Sequence, residues 1–202
     1  LSLRRQRQMC IRDSDWHSHE INLIKQEQFS EWFLGINPRG LVPTLVDNGE
    51  VHIESNDIMM HLDEKFTNNK LYPDDKFDEI VSDLAFEDSL HHDLRRLTFR
   101  YIIPHSLGKK DLKKLSFKES YIGTINGKED EHKERELLFW KNHYDNGITD
   151  KEVIESASKF KEIYTKFDSQ LQKNKFLKGN KFTIVDLAWY VSVSYTHLRA
   201  HE

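Results

Sequence analysis

One cysteine, Cys10, stands among 202 residues. A lone thiol closes no disulfide within the chain, so no cross-linked framework holds this fold. The same scarcity fits a reducing compartment, and a cytoplasmic protein is expected. Beyond residue 14 no thiol nucleophile exists at all. Long apolar runs are missing too: the longest last a few residues, far short of the roughly 20 a helix needs to cross a bilayer. Nor is there a basic excess. The net charge is −4, and Arg4, Arg5, Arg7 and Arg12 against Asp13 place +3 in residues 1–14, so the other 188 residues carry −7. An acidic body lacks the basic face that nucleic acid requires. Proline is scarce, at four positions, so each one punctuates the chain.

What is present suffices for a core. Hydrophobic residues make up 37% of the chain, with 12 Phe and 7 Tyr for bulk, and the length allows one or two domains. The two ends break the texture. Residues 1–14, LSLRRQRQMCIRDS, are arginine-rich with no helical or strand period. A transit peptide is one reading. The favoured one is that RQMCIRDS and the closing VSYTHLRAHE resemble translated sequencing-adapter read-through. Residues 1–14 and 194–202 are thus expected to be non-native.

Within the body, residues 16–24, WHSHEINLI, alternate and then turn apolar, which predicts a strand. Phe29, Trp32, Phe33 and Ile36 predict a short helix. Asn37-Pro38-Arg39-Gly40 marks a turn. Thr44-Leu45-Val46 and Val51-His52-Ile53 flank Asp47-Asn48-Gly49, a hairpin signature. Ser55 is placed to cap a helix running to about Phe66, with Ile58, Met59 and Leu62 on one face. Leu71-Tyr72-Pro73 then reads as a linker. From Lys76 the pattern is helical only. One long helix is expected from Phe77 through Asp88, His91 and Arg95 to about Ile103, where Pro104 stops it. Residues 105–131 are lysine-rich and weakly periodic, expected as loop with a helical piece. A helix from Lys133 to Tyr144 ends at Asn146-Gly147. Val153, Ala157, Phe160, Tyr164, Phe167 and Leu171 step 4-3-4-3-4, the strongest helical period in the chain. Thr183 and Asp186 have capping-box spacing, with Phe182 and Leu187 placed as a hydrophobic staple. The apolar Ala188-Trp189-Tyr190-Val191 that follows predicts a buried helix.

The chemistry concentrates in residues 37–55, NPRGLVPTLVDNGEVHIES. Val42-Pro43 enters a strand. X-Pro bonds are cis in about 5–6% of cases, and a cis bond there would turn the Val42 N–H and C=O outward, where an extended peptide could pair. Twelve residues after Val42, Glu54-Ser55 opens a helix. A helix N-terminus attracts a carboxylate, Ser55 adds a hydroxyl, and Glu54 offers an anion to an ammonium. A zwitterionic amino-acid end beside a peptide-binding edge describes a γ-glutamyl peptide.

The stretch NPRGLVPTLVDNGEVHIESNDIMMHLDEKF resembles the N-terminal domain of glutathione transferases, with their N-P-x-G-x-V-P and E-S-x-x-I signatures, and FTIVDLAW resembles the capping-box helix of their C-terminal domain. The resemblance covers roughly residues 16–193. It implies a thioredoxin-like α/β domain at 15–70, its first strand and helix expected to be missing, followed by an all-α domain at 76–193. It implies that Val42, beside Pro43, pairs with the cysteinyl backbone of glutathione. Glu54 and Ser55 would hold the γ-glutamyl end, with Asn56 a softer contact. Gln28 would reach the glycyl carboxylate. Leu41 departs from the pattern, since Lys or Gln often stands there. The family's sulfur-activating Ser, Tyr or Cys sits at the end of the first strand, so no catalytic residue is assigned, and Ser14 and Cys10 are not promoted to the role. Glutathione, an electrophilic small molecule and a second copy of the chain are the partners the resemblance implies.

Three further groups carry polar or charged side chains that could bind a ligand. His17 and His19 would share a strand face, more in keeping with solvent than with metal, so no metal site is expected. His91-His92-Asp93 would sit mid-helix, where neighbours diverge. Arg95, Arg96, Arg100 and Tyr101 either border an electrophile pocket for an anionic or aromatic co-substrate or form a solvated, ion-paired face. The expected function is a glutathione transferase adding the glutathione thiolate to an electrophile. The alternative is a non-catalytic binding or scaffold module of the same fold.

Overall fold

The computed structural model describes residues 16–68, 70–101, 124–125 and 128–197. Expectations for residues 1–15, for the end of the long helix at Pro104, for most of 105–131 and for 198–202 lie outside them.

The hairpin forms as read. Strands β1 (Thr44–Asp47) and β2 (Glu50–Ile53) pair antiparallel with Asp47 opposite Glu50. That register leaves Asn48 and Gly49 as the two turn residues, at φ 52° and 88°. Both angles are what a two-residue turn matched to strand twist demands. Residues 16–24 do not form the expected strand. They pair with no strand among the described residues and run instead into turns at 23–26 and a 3-10 turn at Glu27–Phe29. Local hydrogen bonds favour that path: Lys25 N–H donates to Asn22 Oδ1 (3.0 Å) and Asn22 N–H to Glu27 Oε2 (2.8 Å). Helix α1 (Glu31–Ile36) follows, burying Phe33 and Leu34.

Helix α2 (Ser55–Phe66) returns over the hairpin. His61 Nε2 lies 2.8 Å from Asp47 Oδ2, and Lys65 Nζ donates to the same oxygen at 2.5 Å. His61 also stacks on His52 across the layers, with ring centroids 3.7 Å apart. Ser55 is not the cap. Glu54 holds that position and Ser55 is the first helical residue.

The helical half contains α3 (Phe77–Ser89), α4 (His91–Tyr101), α5 (Glu131–Asn146), α6 (Asp150–Leu171) and α7 (Ile184–His197). A two-residue antiparallel pair, β3 (Thr124–Ile125) with β4 (Lys128–Glu129), precedes α5. The single long helix expected from Phe77 is two helices. The chain tightens at Leu90, whose N–H bonds back three residues to Glu87 O, while the Ser89 hydroxyl donates to Phe86 O. His91 and His92 therefore open a helix rather than occupying its middle. Gly147, at φ 69°, ends α5 as expected.

The core joins Ile80 and Leu84 of α3, Leu90, Phe160 and Ile163 of α6, and Ile184, Val185, Ala188 and Trp189 of α7. Trp189 sets its indole edge-on to Phe167, with centroids 4.7 Å apart. The buried stripe of α6 is Val153, Ser156, Phe160 and Ile163, so Ser156 and Ile163 take the places expected of Ala157 and Tyr164, and Leu171 is exposed. Helix α7 is buried on one face only; Tyr190 is 70% exposed. Its expected capping box is partly made. Asp186 accepts the Thr183 N–H (2.8 Å) and hydroxyl (2.9 Å), and spends its other oxygen on Leu177 N–H (2.8 Å). Phe182 sets its ring edge-on to Phe176. A complete capping box sits at Thr149 and Glu152 of α6. The expected linker is a buried junction: Tyr72 is part of the core, Leu71 N–H donates to Asp63 Oδ2 (2.7 Å), and Leu71 O accepts from Ile184 N–H (3.0 Å). Asn56 adds a tie from α2 to Leu84 O of α3 (3.2 Å).

Candidate active-site cleft

Asn37 builds one wall. It is buried, and its amide donates to Leu41 O (2.8 Å) and Thr44 Oγ1 (3.1 Å), while its Oδ1 accepts from Arg39 N–H (3.0 Å). Gly40, at φ 64°, closes the turn with a bond to Asn37 O (2.9 Å). The loop then projects Val42 and Pro43, joined by a cis peptide bond. Val42 is 42% exposed, and its backbone N–H and C=O make no hydrogen bond among the described residues. A peptide backbone could pair there.

The hairpin next brings the chain to Glu54 at φ 70°, ψ 127°. For a non-glycine residue this conformation costs of order 1–3 kcal/mol, a kind of outlier that clusters at ligand clamps. No side chain caps α2, and its first bond is Ile58 N–H to Glu54 O (3.0 Å). The N–H groups of Ser55, Asn56 and Asp57 thus have no intrahelical acceptor, and the helix dipole adds partial positive charge there.

The helical half supplies the opposite wall. Arg39 donates to Glu54 Oε1 and grips Asp130 through two bonds, Nε to Oδ1 (3.2 Å) and Nη2 to Oδ2 (2.9 Å). Asp130 also caps α5 by accepting from Lys133 N–H (2.7 Å). Burial alone would raise the Asp130 pKa, but Arg39 and the Lys133 N–H outweigh it and hold the carboxyl below its usual range. His132 Nδ1 lies 3.4 Å from Glu54 Oε1, a second contact across the cleft. Deeper, Glu136 accepts from both Arg95 (2.9 and 2.7 Å) and His92 (2.9 Å). Burial alone would raise its pKa too, yet His92 and Arg95 carry it down to about 2. Between these walls lies a cleft of about 130 Å³.

Four of the sequence-identified residues, Val42, Pro43, Glu54 and Ser55, line this one cleft. Gln28 does not line it: it is 3% exposed, and its Oε1 has no hydrogen-bond partner. Asn56 faces the domain junction instead. The sequence alone gives Arg39, Asp130 and His132 no role in a site. Arg39 stood in the open within N-P-R-G, but its partners lie 91 residues away in Asp130 and 15 away in Glu54. Arg95 and Arg96 are ion-paired as part of a face, though to the buried carboxylates Glu136 and Asp93. Arg100 pairs with Asp150 at 2.5 Å. His19 meets the edge of Trp32. Among the described residues no cluster of three or more His, Cys, Asp or Glu side chains could hold a metal ion. No described helix is long and apolar enough to cross a membrane.

Comparison with known proteins matches both halves. The model of the glutathione S-transferase N-terminal domain matches residues 13–65, and that of the glutathione S-transferase C-terminal domain matches residues 127–197. A zeta-class glutathione S-transferase of Euphorbia esula is 42% identical over 65 residues, 32% of this chain and 29% of that protein. An omega-1 glutathione S-transferase of Rattus norvegicus is 33% identical over 84 residues, 41% of this chain and 34% of that protein. The matched region thus spans about a third of the length of these curated relatives. The crystal structure of a beta-etherase from Sphingobium sp. strain SYK-6 superposes with a TM-score of 0.69 at 23% identity, over 89% of this chain and 72% of that one. That likeness is one of fold: a thioredoxin-like α/β half followed by an all-α half.

Proposed function

We propose that this chain, which belongs to the glutathione S-transferase family by both of its matched domains, binds glutathione in the cleft between its halves and presents the thiolate to an electrophilic small molecule. The observation that carries this reading is the exposed Val42 backbone facing the same cleft as the uncapped start of α2. The cysteinyl backbone of glutathione pairs with Val42, beside Pro43. The γ-glutamyl carboxylate takes the Ser55 hydroxyl and the free N–H groups of α2. The γ-glutamyl ammonium takes Glu54, whose carboxylate Arg39 and His132 already orient. Residues 15–70 form the glutathione-binding domain and 76–193 the helical domain that closes the cleft. Gln28 reaches the glycyl carboxylate only by turning out of its buried position. The activating residue for the sulfur stays unassigned. The working form in this reading is a cytoplasmic homodimer.

Retention of the chain on immobilised glutathione tests the site. The wild-type chain is expected to be retained and eluted by free glutathione, and Glu54→Ala to pass through. No retention of the wild type, or equal retention of the variant, would overturn the assignment. Turnover of 1-chloro-2,4-dinitrobenzene then identifies an enzyme, and turnover of no electrophile in a panel that includes aromatic acids favours the binding module.

A further inference from the structure

A second cleft, of about 250 Å³, adjoins the first, and the two share His92 and Arg135. Its wall is a column of rings. His92 stacks on Phe139 with centroids 5.0 Å apart and planes at 29°, and Phe139 is nearly parallel to His143 at 15° and 6.2 Å. Leu138, 59% exposed, and buried Ile148 extend the apolar lining. Such a surface suits a planar ring.

The charges around it are unequal. Arg96 is committed to Asp93 (3.1 Å) and lies 3.7 Å from Glu152. Glu152 is itself held by the Thr149 N–H and hydroxyl. Arg135 is exposed and makes no ion pair or hydrogen bond among the described residues. An unengaged guanidinium at the rim of an aromatic wall is a ready partner for a carboxylate.

We propose that the second cleft binds an aromatic acid, its ring against the His92–Phe139–His143 wall and its carboxylate on Arg135. Resting on the glutathione reading above, this names the class of co-substrate: an electrophile carrying a carboxylate on or beside an aromatic ring.

The test is a titration of the chain with 4-nitrobenzoate and with the neutral, nearly isosteric 4-nitrobenzamide, followed by tryptophan fluorescence; Trp140 sits edge-on to Phe139 with centroids 5.2 Å apart. The acid is expected to bind about tenfold tighter than the amide, the size of one charge-assisted contact. Arg135→Ala should abolish that preference and Arg135→Lys keep part of it. Leu138→Asp should weaken both ligands. Equal binding of acid and amide by the wild type, binding of neither, or an unchanged preference in Arg135→Ala would overturn the proposal. Repeating the titration with saturating glutathione separates the two readings. If glutathione does not bind while the acid preference and its dependence on Arg135 persist, the glutathione reading falls and the aromatic-acid site stands. If glutathione binds and the acid displaces it, the two clefts are one site and this proposal falls.

Discussion

The loop and hairpin of residues 37–55 and the polar interior of the helical half are both organised by hydrogen bonds, but over different distances along the chain. Asn37 reaches Arg39, Leu41 and Thr44, at most seven residues away. Asp93 instead accepts from Ser156 (2.6 Å) and Lys159 (2.9 Å), 63 and 66 residues away. Glu136 is held by residues 41 and 44 away, and Glu87 accepts from Ser192 at 2.6 Å, 105 residues away. The first region is a local device whose shape follows from its own residues. The second exists only once the helices have packed. It buries three carboxylates: Glu136 is held by distant partners alone, while Asp93 and Glu87 add Arg96 and His91 on their own stretch of chain to distant ones.

That contrast can be broken by mutation. The largest expected effect is in the interior. Glu136→Ala strands the half-buried Arg95 and His92, and removing one partner of such a buried pair costs about 3–5 kcal/mol. A denaturant titration measures it. A loss under about 1 kcal/mol would mean that the interior is no more demanding than the surface.

Acid should act on the same carboxylate. Its folded pKa of about 2 lies below the ordinary value of 4.5. A depressed carboxylate stabilises the fold fully above its unfolded pKa and loses that contribution as pH falls through the folded one. The window therefore runs from about pH 4.5 down to about 2, and the contribution at stake is on the order of 3 kcal/mol. Glu136→Gln, though less stable, should show a flatter stability profile across that window, and an unchanged slope would contradict the assignment.

The local device should give less. Asn37→Ala removes three short-range bonds at a cost of about 2 kcal/mol. If it costs more than Glu136→Ala, the comparison is inverted. Thr149→Ala, which opens the capping box of α6, is expected to cost about 1 kcal/mol. The smallest effect belongs to the surface: Lys65→Ala, which removes an exposed partner of Asp47, should shift stability by about 0.5 kcal/mol or less.

The same division governs what could be read from the sequence. Asn48-Gly49, the Val42-Pro43 entry, the helix opening at Glu54-Ser55 and the Gly147 stop are all written within a few residues of where they act. So is the Thr149–Glu152 box, whose T-x-x-E spacing is plain. Residues 16–24 carry a strand's alternation, but a strand needs a partner, and local turns took the chain instead. The stripe of α6 lies one residue off the expected one at two places, with Ile163 for Tyr164 and Ser156 for Ala157, the second because Ser156 looks polar. Its burial follows from Asp93, which no local pattern reveals. Leu90 looked like mid-helix because a break of one tightened turn leaves the hydrophobic period intact. In the cleft, the wall made by residues 37–55 was legible. The wall made by Asp130, His132 and Glu136 was not, since only packing brings it opposite.

The central claim is that these two walls together hold glutathione, and amide-resolved nuclear magnetic resonance tests it most directly. On titration with glutathione, the signals of Val42, Ser55 and Asn56 are expected to move in a saturable way, and Glu54→Ala should suppress the response. No movement at these amides at millimolar glutathione, or movement confined to other parts of the chain, would contradict the account.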